Sequence, residues 1–91
     1  MTATAPASPS TLTIQVLLFG SYAEIVGRNV VELVLPTPAT IADAVAHLRS
    51  LPGGQQIPLR PLCALNLAQA PLETPLSAGA ELAILPPLAG G

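Results

Sequence analysis

The residues with the clearest chemical meaning in this sequence are its last ones, "LPPLAGG". Gly90 and Gly91 have no Cβ atoms, so an extended backbone that ends in them can enter a channel too narrow for side chains. Pro86 and Pro87 stop the preceding strand and direct the chain away from it. The reactive group is then the terminal carboxylate of Gly91. It becomes electrophilic once a separate ATP-using enzyme adenylates it, and sulfur or nitrogen nucleophiles can attack the product.

Two other side chains could act as a nucleophile or a base, Cys63 and His47, but neither has the neighbours that such chemistry needs. Cys63 lies between Leu62 and Ala64 in an apolar run, which predicts a buried, unreactive thiol. His47 falls within a predicted helix and is expected to be solvated. One histidine and one cysteine do not make a metal site, so no metal is expected.

Composition and charge exclude several classes of protein. At 91 residues, 51% hydrophobic and 9% charged, the chain is expected to form one folded domain. The net charge is −2 and the cations are three scattered arginines, so the basic stripe of a nucleic-acid surface is missing. No apolar run has the length of a membrane span. A single cysteine cannot form an internal disulfide, which favours a cytoplasmic protein.

Alternating and helical patterns predict four strands and two helices. The strands are expected at "TLTIQVLLF", "RNVVELVLP", Cys63–Leu67 and "ELAIL", with a turn around Asn66–Gln69. A short helix, "SYAEIVG", follows the first strand, with Ser21 as its N-cap and Gly27 as its stop. The main helix follows the second strand, with Thr40 as N-cap and Asp43 in its first turn. The opening stretch "MTATAPASPS" has the composition of a disordered leader.

This order of elements predicts an α+β domain in which a mixed sheet packs on one main helix. One short helix covers one face of such a sheet, and the alternation of the strands assigns the opposite face to Leu17, Phe19, Ala83 and Leu85. No other predicted element is left to cover these side chains. Because contiguous exposed apolar area usually marks an interface, we expect this face to bind a protein partner.

Four segments of the chain resemble one family of proteins. "VLLFGSYAEIVG", "TIADAVAHLRS", "ALNLA" and "LSAGAELAILPPLAGG" look like the small, sulfur-carrier subunit of molybdopterin synthase, of the MoaD and ThiS type. The resemblance covers Leu12 to Gly91, and its most specific part is the ending, a strand followed by Pro–Pro–x–x–Gly–Gly. It implies a ubiquitin-like β-grasp fold for residues 11–85, with residues 86–91 as a flexible, extended tail. The disordered leader, residues 1–10, is predicted from its composition and lies outside the resemblance.

The resemblance also implies a chemistry. Such a carrier has no bound cofactor and no complete active site, because the catalytic residues belong to the large subunit, with which it would form a heterotetramer. A ubiquitin-activating-like adenylyltransferase would use ATP to adenylate Gly91, which would then become a thiocarboxylate. The tail, with Pro86, Pro87 and Gly90, would thread into the large subunit and donate sulfur to cyclic pyranopterin monophosphate. The expected hydrophobic contacts with partners are Leu17, Phe19, Leu85 and Leu88.

Three other functions stay open at this point. The chain could be a thiamine-type sulfur carrier, or one that serves another sulfur-containing product. It could be a ubiquitin-like protein modifier that is joined to lysines of its targets through Gly91. It could also be a plain interaction domain whose tail is inert. The "FGSYAEIVG" segment and the "LPPLAGG" ending favour molybdopterin over thiamine.

Overall fold

The computed structural model describes residues 10–87 of the chain. Its regular elements are β1 (Thr11–Leu18), α1 (Ser21–Val26), β2 (Val30–Pro36), α2 (Ile41–Arg49), β3 (Leu62–Leu65), β4 (Ala68–Gln69) and β5 (Glu81–Leu85). A short 3-10 turn at Gly54–Gln56 follows α2. The expected leader, apart from Ser10, lies outside the described residues. Within residues 10–87, no helix has the length and apolar character needed to cross a membrane.

The strands form one mixed sheet of five strands in the order β2-β1-β5-β3-β4. β1 is antiparallel to β2 and parallel to β5, while β5 is antiparallel to β3. This is the arrangement expected of a ubiquitin-like β-grasp, and it confirms the predicted α+β fold. The sheet has one strand more than the four predicted, because the chain turns back after β3 and pairs with it as β4.

The turn between β3 and β4 corrects the predicted strand Cys63–Leu67. Asn66 and Leu67 have φ angles of 50° and 76°, and these left-handed conformations end β3 at Leu65. Asn66 is held there by Glu81: its N–H donates to the Glu81 carbonyl (2.8 Å), and its Oδ1 accepts from the Glu81 N–H (3.0 Å). The turn is thus fixed by a neighbouring strand that lies far away in the sequence.

The two helices begin in different ways. At α2 the Asp43 N–H donates to Thr40 Oγ1 (3.4 Å) and the Thr40 N–H donates to the Asp43 carboxylate (2.8 Å), a capping box that confirms the predicted start. At α1 the predicted cap is wrong, because Ser21 is the first helical residue and no side chain caps this end. Gly20, with a φ of 57°, makes the turn from β1 into α1 instead. Gly27 ends α1 in the left-handed conformation, as predicted.

The hydrophobic core lies between the sheet and α2. Alternate residues of β1 and β5 are buried on this side, namely Leu12, Ile14, Val16, Leu18, Leu82 and Ile84. The helix contributes the stripe Ile41, Ala44, Val45 and Leu48. No polar or charged side chain among residues 10–87 is buried. Apolar packing therefore holds the layers together, at about 25 cal/mol for each Å² of apolar surface removed from water.

Two glycines after α2 let the helices approach each other closely. A Cβ atom added to Gly53 would collide with the carbonyl of Ile25 in α1, and one added to Gly54 would collide with the carbonyl of Leu48 in α2. Gly53 also has a φ of +83°. These two glycines therefore seat α1 against the end of α2.

Candidate partner-binding surface and tail exit

The face of the sheet turned away from α2 is open, as the alternation of the strands predicts. Leu17 near the end of β1 is half-buried, and Phe19, which directly follows β1, is 45% exposed. Ala83 and Leu85 of β5 are half-buried. The structure confirms that these four residues point away from the core. Their binding to a partner stays a prediction.

The open face has an apolar end and a polar end. Leu17 lies opposite Val30 of β2 in the antiparallel ladder, which makes an apolar row at the end where β5 finishes. Two residues earlier along β1, Gln15 lies opposite Glu32 on one side and Glu81 on the other. A partner that buries apolar surface therefore gains most at the end of the sheet where the tail begins.

We call this apolar end the tail-side patch and define it as Leu17, Phe19, Val30, Leu62 and Leu85. Val30 is 47% exposed and Leu62 40% exposed, and Leu62 lies opposite Leu85 in the β3–β5 ladder. Neither Val30 nor Leu62 was among the predicted partner contacts. The alternation of β2 carried the signal for Val30, because its neighbours on the other face are buried. Leu62 was not predicted to lie on this face, because the third strand was predicted to begin one residue later.

A shallow groove of about 450 Å³ borders the tail-side patch between β1, α1 and β2. Phe19, Ala23 and Val30 contribute apolar walls, while Glu24 and Asn29 contribute polar atoms. Within residues 10–87, no three His, Cys, Asp or Glu side chains come together as metal ligands. The lining is thus suited to receiving a side chain of a partner.

The tail leaves the sheet beside the tail-side patch. β5 ends at Leu85, after which Pro86 is half-buried and Pro87 is exposed. Pro86 passes close to Gly20, since a Cβ atom added there would lie 3.1 Å from Pro86 Cγ. Because Gly20 directly follows Phe19, Pro86 passes the backbone one residue after the exposed aromatic residue. The other predicted tail residues, Leu88, Gly90 and Gly91, lie outside the described residues.

Cys63 and His47 lie away from this surface. Cys63 is buried on the core side of the sheet, and burial raises the pKa of its thiol to about 11. The thiol therefore stays protonated near neutral pH, which agrees with the predicted unreactive cysteine. His47 lies on α2, is half-buried, and its backbone carbonyl accepts a hydrogen bond from the Ser50 hydroxyl (2.6 Å).

Comparison with known families decides the class of this fold. The model described as the ThiS family matches residues 16–91. The chain belongs to the ThiS family. Members of the ThiS and MoaD class are small carrier subunits rather than catalytic ones, and the mixed sheet over one helix is their β-grasp fold. No curated protein sequence matches the chain.

The solved structures that match this chain share its fold, but their names describe two different functions. The small archaeal modifier protein SAMP1 from Haloferax volcanii is 26% identical with a TM-score of 0.76, over 87% of this chain and 99% of that one. A chain from the complex of subunits 1 and 2 of molybdopterin-converting factor from Helicobacter pylori is 25% identical with a TM-score of 0.61, over 88% of this chain and 100% of that one. A Pyrococcus furiosus structure described as molybdopterin converting factor subunit 1 has a TM-score of 0.74 at 16% identity, over 85% and 99%, and shows the fold alone.

The family and its structural neighbours therefore give a coarse assignment. The ThiS-family chain is a sulfur carrier of the ThiS and MoaD type or a ubiquitin-like modifier.

Proposed function

We propose that the chain is the sulfur-carrier subunit of a molybdopterin synthase and presents Gly91 as a C-terminal thiocarboxylate. The observation that carries this proposal is the shared position of the tail-side patch and the tail exit. Pro86 lies close to Gly20, next to Phe19, so a partner that binds the patch receives the start of the tail at its own surface. The reactive end can then enter an active site that belongs to the partner.

The length of the tail limits where that active site can lie. Four residues follow Pro87 in the sequence. A fully extended chain covers at most about 3.3–3.6 Å per residue, so the Gly91 carboxylate reaches no farther than about 14 Å from Pro87. Gly90 and Gly91 keep the end of this short tail thin. A partner must therefore place its reacting groups within that distance of Pro87 in the docked chain.

The chemistry at Gly91 requires activation by another protein. An adenylyltransferase of the ubiquitin-activating type transfers AMP from ATP to the carboxylate and releases pyrophosphate. Sulfide attacks the carbonyl carbon of this anhydride, AMP leaves, and a thiocarboxylate remains. In the large catalytic subunit the thiocarboxylate sulfur attacks cyclic pyranopterin monophosphate, and water later restores the Gly91 carboxylate. The chain thus needs no bound cofactor, and its partners supply the catalytic residues, ATP and substrate in the cytoplasm.

Similarity to a two-subunit complex supports a large-subunit partner. The Helicobacter pylori structure, 25% identical to this chain, is a complex of subunits 1 and 2 of a molybdopterin-converting factor. The exposed tail-side patch offers the apolar area that such a complex needs. We propose the same pairing here, assembled as a heterotetramer, with Leu17, Phe19, Leu85 and Leu88 among the contacts.

The intact mass of the protein tests sulfur carriage. Incubation with ATP, sulfide and an activating enzyme should replace one oxygen by one sulfur in the full chain. A chain that lacks Gly91 should keep its mass under the same conditions. Its far-UV circular dichroism spectrum should be unchanged, because the core of the described domain is built from residues 12–84. If the full chain gains no sulfur, the carrier function is wrong.

A second experiment identifies the pathway. The sulfur-loaded chain is mixed with the large subunit and cyclic pyranopterin monophosphate, and the thiocarboxylate is followed by mass spectrometry. We expect its loss together with the formation of molybdopterin. A chain that loads with sulfur but transfers it only to a thiamine precursor would instead be the thiamine-type carrier, which the ThiS-family match also fits.

Protein modification is the second candidate function, and the similarity to SAMP1 favours it. A modifier uses the same adenylate, but the ε-amino group of a target lysine attacks it and forms an isopeptide bond. The chain contains no lysine, so each lysine-linked conjugate must hold a different protein as acceptor. Conjugates of higher mass that survive thiol treatment would identify a modifier, whereas a sulfur-loaded free chain identifies a carrier.

A further inference from the structure

The two edges of the sheet are protected in different ways. β4, at one edge, has only two residues and is too short to guide an added strand. β2, at the opposite edge, has seven residues and contains proline only at its last position, Pro36. In the described sheet, β1 is the single strand that pairs with it. β2 is therefore a long edge strand, and its side away from β1 has no paired strand in the described sheet.

The hydrogen-bond pattern shows which backbone groups of β2 face outward. The Leu18 N–H donates to the Asn29 carbonyl (2.8 Å) at one end, and the Thr37 N–H donates to the Ser10 carbonyl (3.0 Å) at the other. Bonded and non-bonded pairs alternate along an antiparallel ladder, so the odd-numbered residues of β2 bond to β1. The even-numbered residues then direct their N–H and C=O groups away from the sheet, namely Val30, Glu32 and Val34.

These outward-facing residues also carry a regular side-chain pattern. Val30 is 47% exposed and Val34 51% exposed, and Glu32 lies between them on the same face. Glu32 has an uncharged neighbour on β1, Gln15, and β2 contains no cation. Among residues 10–87 the outward backbone groups of this edge have no hydrogen-bond partner. Such an edge, with its exposed valines, is a surface to which an extended segment can add as a further strand.

Charge decides between a second copy of the chain and a different partner. Two copies that pair antiparallel about Glu32 would place Val30 of each opposite Val34 of the other. The same register places the two Glu32 carboxylates directly opposite each other, and like charges in this position are destabilising. A strand with lysine or arginine at that position forms an attractive pair instead. The β2 edge thus disfavours a second copy in this register and favours a basic segment.

We propose that the β2 edge binds an extended segment of a partner protein with the pattern apolar–x–basic–x–apolar. The segment pairs antiparallel with β2, and its backbone bonds to the outward groups of that strand. Its basic side chain lies opposite Glu32, and its apolar side chains lie opposite Val30 and Val34. Backbone bonds give the segment its affinity, and Glu32 selects its charge.

This binding surface is separate from the tail exit. β5, which leads into the tail, is two strands away from β2, or about 10 Å at the usual strand spacing. Val30 belongs to both surfaces, whereas Val34 lies at the far end of β2 and belongs to the edge alone. The segment can therefore bind while the tail is held elsewhere, so the proposal does not depend on sulfur transfer.

A peptide titration tests the proposal. The full chain, labelled with nitrogen-15, is titrated with the capped heptapeptide Ser-Val-Thr-Arg-Thr-Val-Ser, and its amide resonances are followed by NMR. We expect the largest shifts at Val30, Glu32 and Val34, whose amides gain hydrogen bonds. A peptide with glutamate in place of arginine should bind about tenfold more weakly, because repulsion by Glu32 replaces attraction.

Two substitutions at one position separate backbone pairing from side-chain contact. Val34→Pro removes an outward donor without breaking a bond to β1, whereas Val34→Thr keeps that donor. We expect Val34→Pro to lose peptide binding and Val34→Thr to retain it, with unchanged far-UV circular dichroism and sulfur loading in both. Glu32→Arg provides a test that does not depend on proline, because it should reverse the preference so that the glutamate peptide binds better.

Several results would overturn the proposal. Equal affinity for the arginine and glutamate peptides, an unchanged preference in Glu32→Arg, or full binding by folded Val34→Pro would each do so. Shifts confined to the tail-side patch would assign the peptide to the other surface. A dimer of the free chain that pairs through β2 would make a second copy the occupant. If deletion of residues 1–9 alone shifts the amide resonances of β2, the occupant of the edge would be the chain's own leader.

Discussion

Phe19→Arg should weaken binding to the partners of the tail with little loss of stability. In the free chain 45% of Phe19 is exposed. A phenylalanine side chain of about 200 Å² therefore offers roughly 90 Å² for a partner to cover. At about 25 cal/mol per Å² this area corresponds to about 2 kcal/mol, or roughly a 30-fold higher Kd. The arginine stem can keep the contacts that Phe19 makes within the chain, so stability should fall by less than about 1 kcal/mol.

Steady-state kinetics of sulfur loading provides the assay, with direct titration for Kd. Phe19→Arg should raise KM for the chain and leave kcat nearly unchanged at saturation, because the substitution removes docking rather than chemistry at Gly91. Val34→Arg is the matched control: it adds the same charge to the same face at a residue that is 51% exposed. Val34 lies opposite Thr13, six residues from Phe19 along β1, or about 20 Å away.

Two outcomes would refute this reasoning. A Kd for Phe19→Arg within threefold of the natural chain would mean that the partner does not cover the tail-side patch. An equal loss in Phe19→Arg and Val34→Arg would mean that added charge, rather than lost apolar contact, weakens binding. Thermal unfolding followed by circular dichroism shows whether either variant has lost its fold.

The remaining predictions concern stability. Gly53→Ala should lower the free energy of unfolding, measured with urea, by about 1–3 kcal/mol more than Gly79→Ala does. Both glycines have a φ near +80°, but only at Gly53 would the new Cβ atom collide with backbone, so equal losses would contradict the close approach. The free energy of unfolding should also fall as the pH rises from 9 to 11. The unfolded Cys63 thiol ionises at its ordinary pKa of 9.0, whereas burial raises the folded pKa to about 11. Below pH 9 the stabilisation that depends on the buried, protonated thiol is fully present. Between pH 9 and 11 the free energy of unfolding falls by about 1.4 kcal/mol per pH unit. Cys63→Ala should remove this part of the slope, and an identical slope in the variant would contradict it.

The sequence was sufficient for features that depend on residues close together in the chain. The faces of β1 and β5 follow from strict alternation, which is why Phe19 and Leu85 could be placed on the open side. The capping box of α2 joins Thr40 and Asp43 across three positions. The buried thiol of Cys63 follows from its apolar neighbours. In each case the signal and its structural consequence lie within a few residues.

The features that escaped depend on pairing between distant segments. A turn around Asn66–Gln69 was predicted, but the contact that holds it, between Asn66 and Glu81, joins residues fifteen positions apart. Ser21 was a plausible cap, but Gly20 takes the turn where Pro86, at the other end of the chain, passes close by. The role of Gly53 depends on the carbonyl of Ile25 in another helix. No pattern along the chain records these approaches.

The parallel pairing of β1 and β5 is what joins the tail-side patch to the tail. Because the two strands run in the same direction, Leu18 at the end of β1 lies beside Ile84 near the end of β5. If β5 ran the other way, it would finish near Gln15, about 13 Å from Phe19. The tail would then leave the sheet at its polar end, where Gln15 lies opposite Glu32, instead of beside the tail-side patch. Parallel neighbours require a long crossover, and the helices with β2, β3 and β4 provide it. Most of the chain thus forms the crossover that brings the ends of β1 and β5 together. A carrier whose active site belongs to a partner requires this arrangement.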